Sequence, residues 1–256
     1  MNTLDSHLYI FTDGSALGNP GKGGYGALLI FEQLDEIIEL GGAKPHTTNN
    51  EMELSAIIAA LAYASHNIAP TTIFTDSSYV VNGITQWVHN WEKNNWRTQD
   101  KNPVAHQPLW EQLLNLVRAR EQEAPLTWKL VPSHVGIAGN ERVDTIATTY
   151  AEGRNPTLYR GNLSQYPHAL FPLPSDADIQ AKRSEKRAAN PSSSGSSKAY
   201  SYLSLVDDVV MRHDNWLDCK VRVDGKKALF RKALSAEHEQ EICTAWGVPL
   251  PPHDTV

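Results

Sequence analysis

No stretch of the 256 residues approaches the ~18 consecutive apolar residues that a membrane span needs, so no membrane association is expected. The opening MNTLDSHLYIFTDG lacks a basic segment followed by an apolar one; no secretory signal is expected, and the expected location is cytoplasmic. Cysteine is scarce, with Cys219 and Cys243 alone and both near the C-terminus. Without a secretory context they read as free thiols rather than a disulfide. Positive charge does not predominate either. A net charge of −6 argues against a protein that coats polyanions through its overall field, and leaves such contact to local basic patches. An enzyme with a defined groove stays open. The 41% hydrophobic content is ordinary for a water-soluble protein, and the length predicts one large or two unequal domains.

Three strands are predicted over 8–13, 24–31 and 36–42, joined by Gly-rich and polar connections as in a meander. Residues 50–66 carry Leu54, Ile57, Ile58 and Leu61 at helical spacing, which marks a helix with one buried face. A strand at 72–76, helical stretches to about Trp91, a Trp-rich connector to about Val104, a helix at 107–120, a strand at 126–132 and a helix over 140–152 follow. A meander followed by βαβ alternation predicts an α/β domain, a mixed sheet with flanking helices, over 1–161. From 162 to 198 the proline-rich LFPLPSD, the charged AKRSEKRAA and the Ser/Gly tract NPSSSGSSK predict a flexible linker, although LFPLP could instead dock as an ordered strap. Residues 199–250 regain hydrophobic patterning and predict a small α+β module: a hairpin turning at Asp207-Asp208, a short helix in NWLDCKVRV, a strand in ALFRKAL, and a final helix capped by Ser235.

Four acidic residues in four separate segments carry the chemistry: Asp13 in IFTDGSALGNPGKGGYG, Glu53 in TTNNEMEL, Asp76 in IFTDSSYVV and Asp144 in SHVGIAGNERVD. Asp13 and Asp76 each close a β-branched and aromatic run and are expected at strand ends, where an Asp can also be a plain turn former. Carboxylates gathered by a fold repel one another and are costly to desolvate unless a cation neutralises them. An all-oxygen site suits Mg²⁺, with Mn²⁺ as a substitute; with room for two ions, it is suited to in-line displacement at phosphate. Glu53 shares a helical stripe with Ile57, Ala60 and Ala64, toward the sheet, whereas Glu51 shares one with Ser55 and Ala62, toward solvent. Glu53 could alternatively serve the helix dipole, and Asp144 and Glu141 both stand in the first turns of the last helix.

TDGSALGNPGKGGYGA, TTNNEMEL, TDSSYV, ITQWVHNW and VPSHVGIAGNERVD, in this order and spacing over roughly Leu8 to Pro156, resemble the type 1 ribonuclease H family. The resemblance implies a five-stranded ribonuclease H-like fold and an endonuclease that hydrolyses the RNA strand of RNA–DNA hybrids with two metal ions, leaving 5′-phosphate and 3′-hydroxyl ends. It selects Glu53 over Glu51 and Asp144 over Glu141. It also implies that His134 is a mobile histidine aiding proton transfer or product departure, a role open to an imidazole. Asn19, Asn49, Asn50, Ser78 and the amides of a Gly14–Ala16 turn match positions that line the RNA strand; Ser78 stands where many relatives carry Gln, and Asn49 or Asn50 could also cap the helix. Thr48 fits a DNA-phosphate pocket, with His46 and His106 where Arg and Asn are common. Trp87, Trp91 and Trp96 match a substrate-handling protrusion, although tryptophans at this spacing also serve as core. From Glu92 to Lys101 the net charge is only +1, so a weak hold on duplex is expected there.

NWLDCKVRVDGKKALFRKALS resembles a small hybrid-binding module found in many relatives, usually at the N-terminus. Trp216, Cys219, Val223, Gly225, Ala228, Phe230, Arg231, Lys232 and Ser235 match it, while the hairpin lacks the glycine-rich turn usual there. From Lys220 to Lys232 the net charge is +5. Trp216 and Phe230 beside Arg231 and Lys232 suit stacking plus phosphate contact; a solvated basic face on a protein-docking domain is the alternative. A monomer acting on RNA–DNA hybrid is expected. A catalytically silent hybrid binder, or a DNA nuclease or integrase relative sharing the fold, are the competing readings.

Overall fold

The apolar run LYIF folds as a strand with both faces covered, which is why it does not alternate with polar residues. In the computed structural model, which describes residues 7–189, 199–224, 226 and 228–251, it opens β1 (Leu8–Gly18). The chain forms two compact units, residues 1–186 and 187–256.

In the first unit β1 pairs antiparallel with β2 (Gly21–Phe31), and β2 with β3 (Glu36–Thr47). After α1 (Asn49–Tyr63), β4 (Thr71–Thr75) pairs parallel with β1. Next come α2 (Ser78–Asn82), a π-helical turn over Gly83–Trp87, α3 (Val88–Lys93) and α4 (Gln107–Glu123). β5 (Leu126–Leu130) then pairs parallel with β4, and α5 (Ala138–Ala151) follows. The order β5-β4-β1-β2-β3-β6 makes six strands, one more than the family resemblance implies. The extra strand is β6 (Arg160–Asn162), antiparallel to β3.

Strand alternation sends side chains to two cores. Ile10, Leu29 and Ile73 pack with Leu54 and Ile57 of α1 and with Trp110 of α4, while Phe11, Leu28, Ile30 and Phe74 pack under Val143 of α5. A Cβ on Gly26 would lie 2.4 Å from the Val143 carbonyl, so the glycines of GKGGYG let α5 lie directly on β2. The three tryptophans divide: Trp91 and Trp96 pack against the α1/α4 core, with Trp91 5.4 Å from the Trp110 ring, whereas Trp87 meets the rings of Tyr79 and Trp91 at 6.2 and 5.7 Å.

The flexible linker expected over 162–198 is instead ordered structure through Ala189. Asn162 ends β6, a 3₁₀ turn covers Leu163–Gln165, Leu170 is buried, and α6 spans Asp176–Ala189. Burial holds it there: Leu170 and Ile179 join Phe11, Val131 and Ile137 in one core. The buried carboxylate of Glu39 on β3 fastens the approach. It accepts from Arg142 Nε and an Arg142 terminal nitrogen at 2.6 and 2.7 Å, from the Tyr159 amide at 2.8 Å and from the Tyr166 hydroxyl. Burial opposes its ionisation, yet these donors hold the carboxyl below its usual range. The Ser/Gly tract lies outside the described residues.

Among the described residues, the second unit is a sheet ordered β8-β7-β9 with helices after β8 and β9: β7 (Ser201–Val206), β8 (Val209–His213), α7 (Trp216–Val223), β9 (Ala228–Ala233) and α8 (Ala236–Trp246). Asp207 and Asp208 both take positive φ, 51° and 61°, which makes the two-residue turn that matches strand twist without glycine. Asn215 and Ser235 cap their helices by accepting from the amides of Asp218 and His238. Leu203, Ala233, Ile242 and Cys243 form the core, beside a buried Glu239 that accepts from Arg212 and Ser201.

Candidate active site

Parallel pairing of β1 with β4 places Thr12 opposite Thr75, so the next residue on each chain, Asp13 and Asp76, stands beside the other. Asp13 is not at a strand end, because the Gly-rich arm of β1 continues to Gly18 against β2. α1 crosses β1 at Gly14, where a Cβ would sit 2.2 Å from the Glu53 amide. That approach, open only to glycine, delivers Glu53 to the same spot. Carboxylate oxygens of Asp13, Glu53 and Asp76 all lie within 4.8 Å of one another. Asp144, facing them from α5, completes the wall of an open cavity of about 390 Å³ that also takes in Asn49, Asn50, Ser78 and His134.

The electrostatics are those of a site waiting for positive charge. Glu53 is only 5% exposed, and its Oε2 has no hydrogen-bond partner. Burial, then the charges of Asp13 and Asp76, push its carboxyl well up. Asp13 is pushed up to about 8 by burial, then by Asp76 and Asp144, despite a 2.7 Å bond from the Gly14 amide. Hard oxygen donors, an orphaned buried carboxylate oxygen and mutual repulsion fit a divalent cation of the Mg²⁺ type.

His134 takes φ +54° in the loop before α5. Its side chain is 73% exposed, with Nδ1 3.8 Å from Asp144 Oδ2. Asn140, buried in the first turn of α5, donates to Asp76 Oδ2 at 3.4 Å. Sequence reasoning passed over it as a motif letter, although a polar residue one turn before Asp144, on the same helix face, was the available signal.

Other expected contacts sort unevenly. Gly14–Ala16 is strand rather than turn, and two of its amides are already used, Gly14 on Asp13 and Ala16 on Asn49 Oδ1 at 2.9 Å. Asn19 Oδ1 accepts from the Asn49 amide at 3.3 Å, so Asn19 braces Asn49 rather than lining the cavity. Thr48 caps α1 by accepting from Glu51 and lies 3.2 Å from His106 Nε2. In the second unit Trp216 (41% exposed) and Phe230 (50% exposed) meet in a tilted ring contact at 5.4 Å, with Tyr202 5.7 Å from Trp216. β9 pairs Phe230 with Ser204 and Lys232 with Tyr202; alternation then puts Lys232 on the aromatic face and Arg231 on the opposite one.

Comparison with known proteins matches this geometry. The family model described as RNase H matches residues 5–152. A ribonuclease H of Pseudoalteromonas atlantica is 47% identical over 149 residues, 58% of this chain and 93% of that protein. One of Nitrobacter hamburgensis is 46% identical over 141 residues, 55% of this chain and 89% of its own. Among solved structures, LC9-RNase H1, a type 1 RNase H with the type 2 active-site motif, superposes with TM-score 0.55 at 26% identity, over 67% of this chain and 90% of that one. With the match running through all four carboxylate segments and His134, the chain belongs to the ribonuclease H family and is a ribonuclease H hydrolase.

Proposed function

We propose that the chain is an endonuclease that cleaves the RNA strand of RNA–DNA hybrids with two Mg²⁺ ions, which Mn²⁺ can replace, leaving 5′-phosphate and 3′-hydroxyl ends. The observation that carries this reading is the cluster of Asp13, Glu53 and Asp76 around a buried, unpartnered Glu53 oxygen. These three and Asp144 would hold the ions, which when bound supply an activated water and offset charge on the departing 3′ oxygen. His134, exposed and beside Asp144, is able to exchange protons at the cavity mouth. Asn49, Asn50 and Ser78, on the cavity wall, offer polar groups to the 2′-hydroxyls that distinguish RNA. Support for the substrate comes from relatives named ribonuclease H. The deciding experiment is cleavage of end-labelled hybrid, double-stranded RNA and double-stranded DNA with Mg²⁺, Mn²⁺ or EDTA. Cleavage confined to hybrid RNA and lost in EDTA is expected; equal cutting of all-DNA duplex, or binding without cleavage, would refute it.

We further propose that the second unit, joined through the Ser192–Ser197 tract, adds affinity for hybrid. Its support is the row of Tyr202, Trp216 and Phe230 rings, exposed at Trp216 and Phe230, together with the Lys220–Lys232 segment of net charge +5 that includes Phe230, a combination suited to stacking and phosphate contact. Deletion of 190–256 is expected to leave cleavage intact while weakening binding of long hybrid. Unchanged affinity would favour docking on a protein.

A further inference from the structure

Three cations of α6 end on backbone carbonyls of the segment that carries His134. Lys186 Nζ donates to the Ser133 carbonyl at 2.8 Å, Lys182 Nζ to the Val135 carbonyl, and Arg183 to the Leu130 carbonyl at the end of β5. Two of the three acceptors flank His134 directly. Ile179, Lys182, Arg183 and Lys186 recur at i, i+3, i+4 and i+7, so they share one helix face. Ile179 heads that stripe and is buried with Phe11, Val131 and Ile137; its apolar contact seats the helix and holds the cations over the loop. The start of α6 is fixed independently. Ser175 caps it by accepting from the Asp178 amide at 3.2 Å, and Asp176 pairs with Lys129 of β5 at 3.0 Å. The loop has little order of its own, with no regular secondary structure over 131–137 and a positive φ at both His134 and Gly136. All of α6 lies beyond residues 5–152, the part matched to the family.

We propose that α6 is a latch that sets the position of the His134 loop for hybrid cleavage, with Lys182, Arg183 and Lys186 as positioning residues. This rests on the reading of His134 given above. Charge-assisted bonds to carbonyls are stronger than neutral ones, and here they restrain the backbone on both sides of the imidazole without touching it. The ring keeps its freedom toward solvent and substrate while its pivot is held.

The test uses the full-length protein with Lys182→Gln/Lys186→Gln, which leaves Ile179 and Arg183 to keep α6 seated, and with Lys182→Arg/Lys186→Arg, which keeps the donors. Amide exchange over 133–137 is expected to accelerate about tenfold in the Gln pair and stay near wild type in the Arg pair, with β4 amides unchanged. On hybrid, kcat of the Gln pair is expected to fall about threefold to tenfold at unchanged KM, and the Arg pair to restore it. In a His134→Ala background the Gln pair should cause no further loss. Unchanged exchange in the Gln pair overturns the latch. Faster exchange with unchanged kcat, or an additive loss in the His134→Ala background, overturns its positioning role. Full activity of His134→Ala in the otherwise unaltered enzyme fails the reading of His134 instead, and is told apart because the exchange difference persists. Should the Gln pair not fold, Lys186→Gln alone, at an exposed lysine, carries the exchange test at Ser133 and His134.

Discussion

Asp13→Asn should make the metal-free protein more stable while abolishing cleavage, and the size of the gain follows from the site. A carboxyl raised in the folded state destabilises the fold once ionised: the stability is intact below its unfolded pKa and is lost as pH rises through the folded value. For Asp13 that window runs from the ordinary aspartate value of 3.8 to about 8. At about 1.4 kcal/mol per pH unit, such a displacement corresponds to roughly 5 kcal/mol by pH 8 as an upper bound. The tight coupling to Asp76, Asp144 and Glu53 reduces what one substitution can recover, because the remaining carboxyls readjust. A gain of about 1–3 kcal/mol is expected, or a rise in Tm of about 3–10 °C for a chain of this size. Asn can keep the bond from the Gly14 amide, so little is lost to offset it.

The measurement is thermal unfolding of both proteins in EDTA at pH 8 and near pH 4. The difference should be large at the first pH and nearly vanish at the second. Adding Mg²⁺ at pH 8 should raise the Tm of the unsubstituted protein, by about 2.7 kcal/mol of stability at a hundredfold excess over Kd, and raise that of Asp13→Asn far less. A Tm for Asp13→Asn at or below the starting protein at pH 8 in EDTA would refute the argument that repulsion and burial dominate this site. Turnover near that of the unsubstituted enzyme would remove Asp13 from the metal-holding set.

Glu39→Ala should destabilise the first unit by about 3–5 kcal/mol in denaturant titrations, because the half-buried Arg142, the Tyr159 amide and the Tyr166 hydroxyl lose their buried acceptor; adding Arg142→Ala should recover part of that loss, and strict additivity would show the pair is not coupled. A hybrid with a single 2′-deoxy sugar at a contacted position should resist cutting there, each lost hydrogen bond weakening the transition-state complex by about 1–3 kcal/mol; unaltered cutting at that position would deny the 2′-hydroxyl contact. In the second unit, Lys232→Ala should lower the slope of log affinity for long hybrid against log salt by about 0.9, and Arg231→Ala, on the other sheet face, should change it less. Equal effects would mean that the aromatic face does not define the contact.

Much of the catalytic unit was legible because its signals are local and periodic. The spacing of Leu54, Ile57, Ile58 and Leu61 identified α1, and the stripe of Glu53 with Ile57, Ala60 and Ala64 placed Glu53 inward; all of these apolar residues join the α1/α4 core, and Glu53 is buried. Strand ends were less legible. Asp13 read as a terminus because glycines follow it, but the ladder with β2 continues to Gly18; the missing side chain of Gly14 lets α1 approach β1, and those of Gly24 and Gly26 let α5 lie on β2. A rule that treats glycine as punctuation misreads a strand that must be approached closely from outside. The same confusion of composition with conformation made Gly14–Ala16 look like a turn with free amides, whereas two of those amides already have acceptors within the protein.

The stretch after β6 shows a different limit. AKRSEKRAA is charged and lacks an apolar stripe, so hydrophobic periodicity returns no buried face. Yet one isoleucine suffices to seat α6, because the remaining contacts on that face are Lys182, Arg183 and Lys186 donating to carbonyls. The acceptors are backbone atoms, identical in every residue type and therefore invisible to any reading of side-chain pattern. What the sequence did contain was the i, i+3, i+4, i+7 spacing of Ile179 and the three cations, together with Ser175 and Asp178 at cap positions. Helical spacing of long cationic side chains ordinarily signals a solvated face. It signals a docked one when a cap fixes the start, an apolar residue leads the stripe, and an edge strand such as β5 lies within reach with carbonyls to offer.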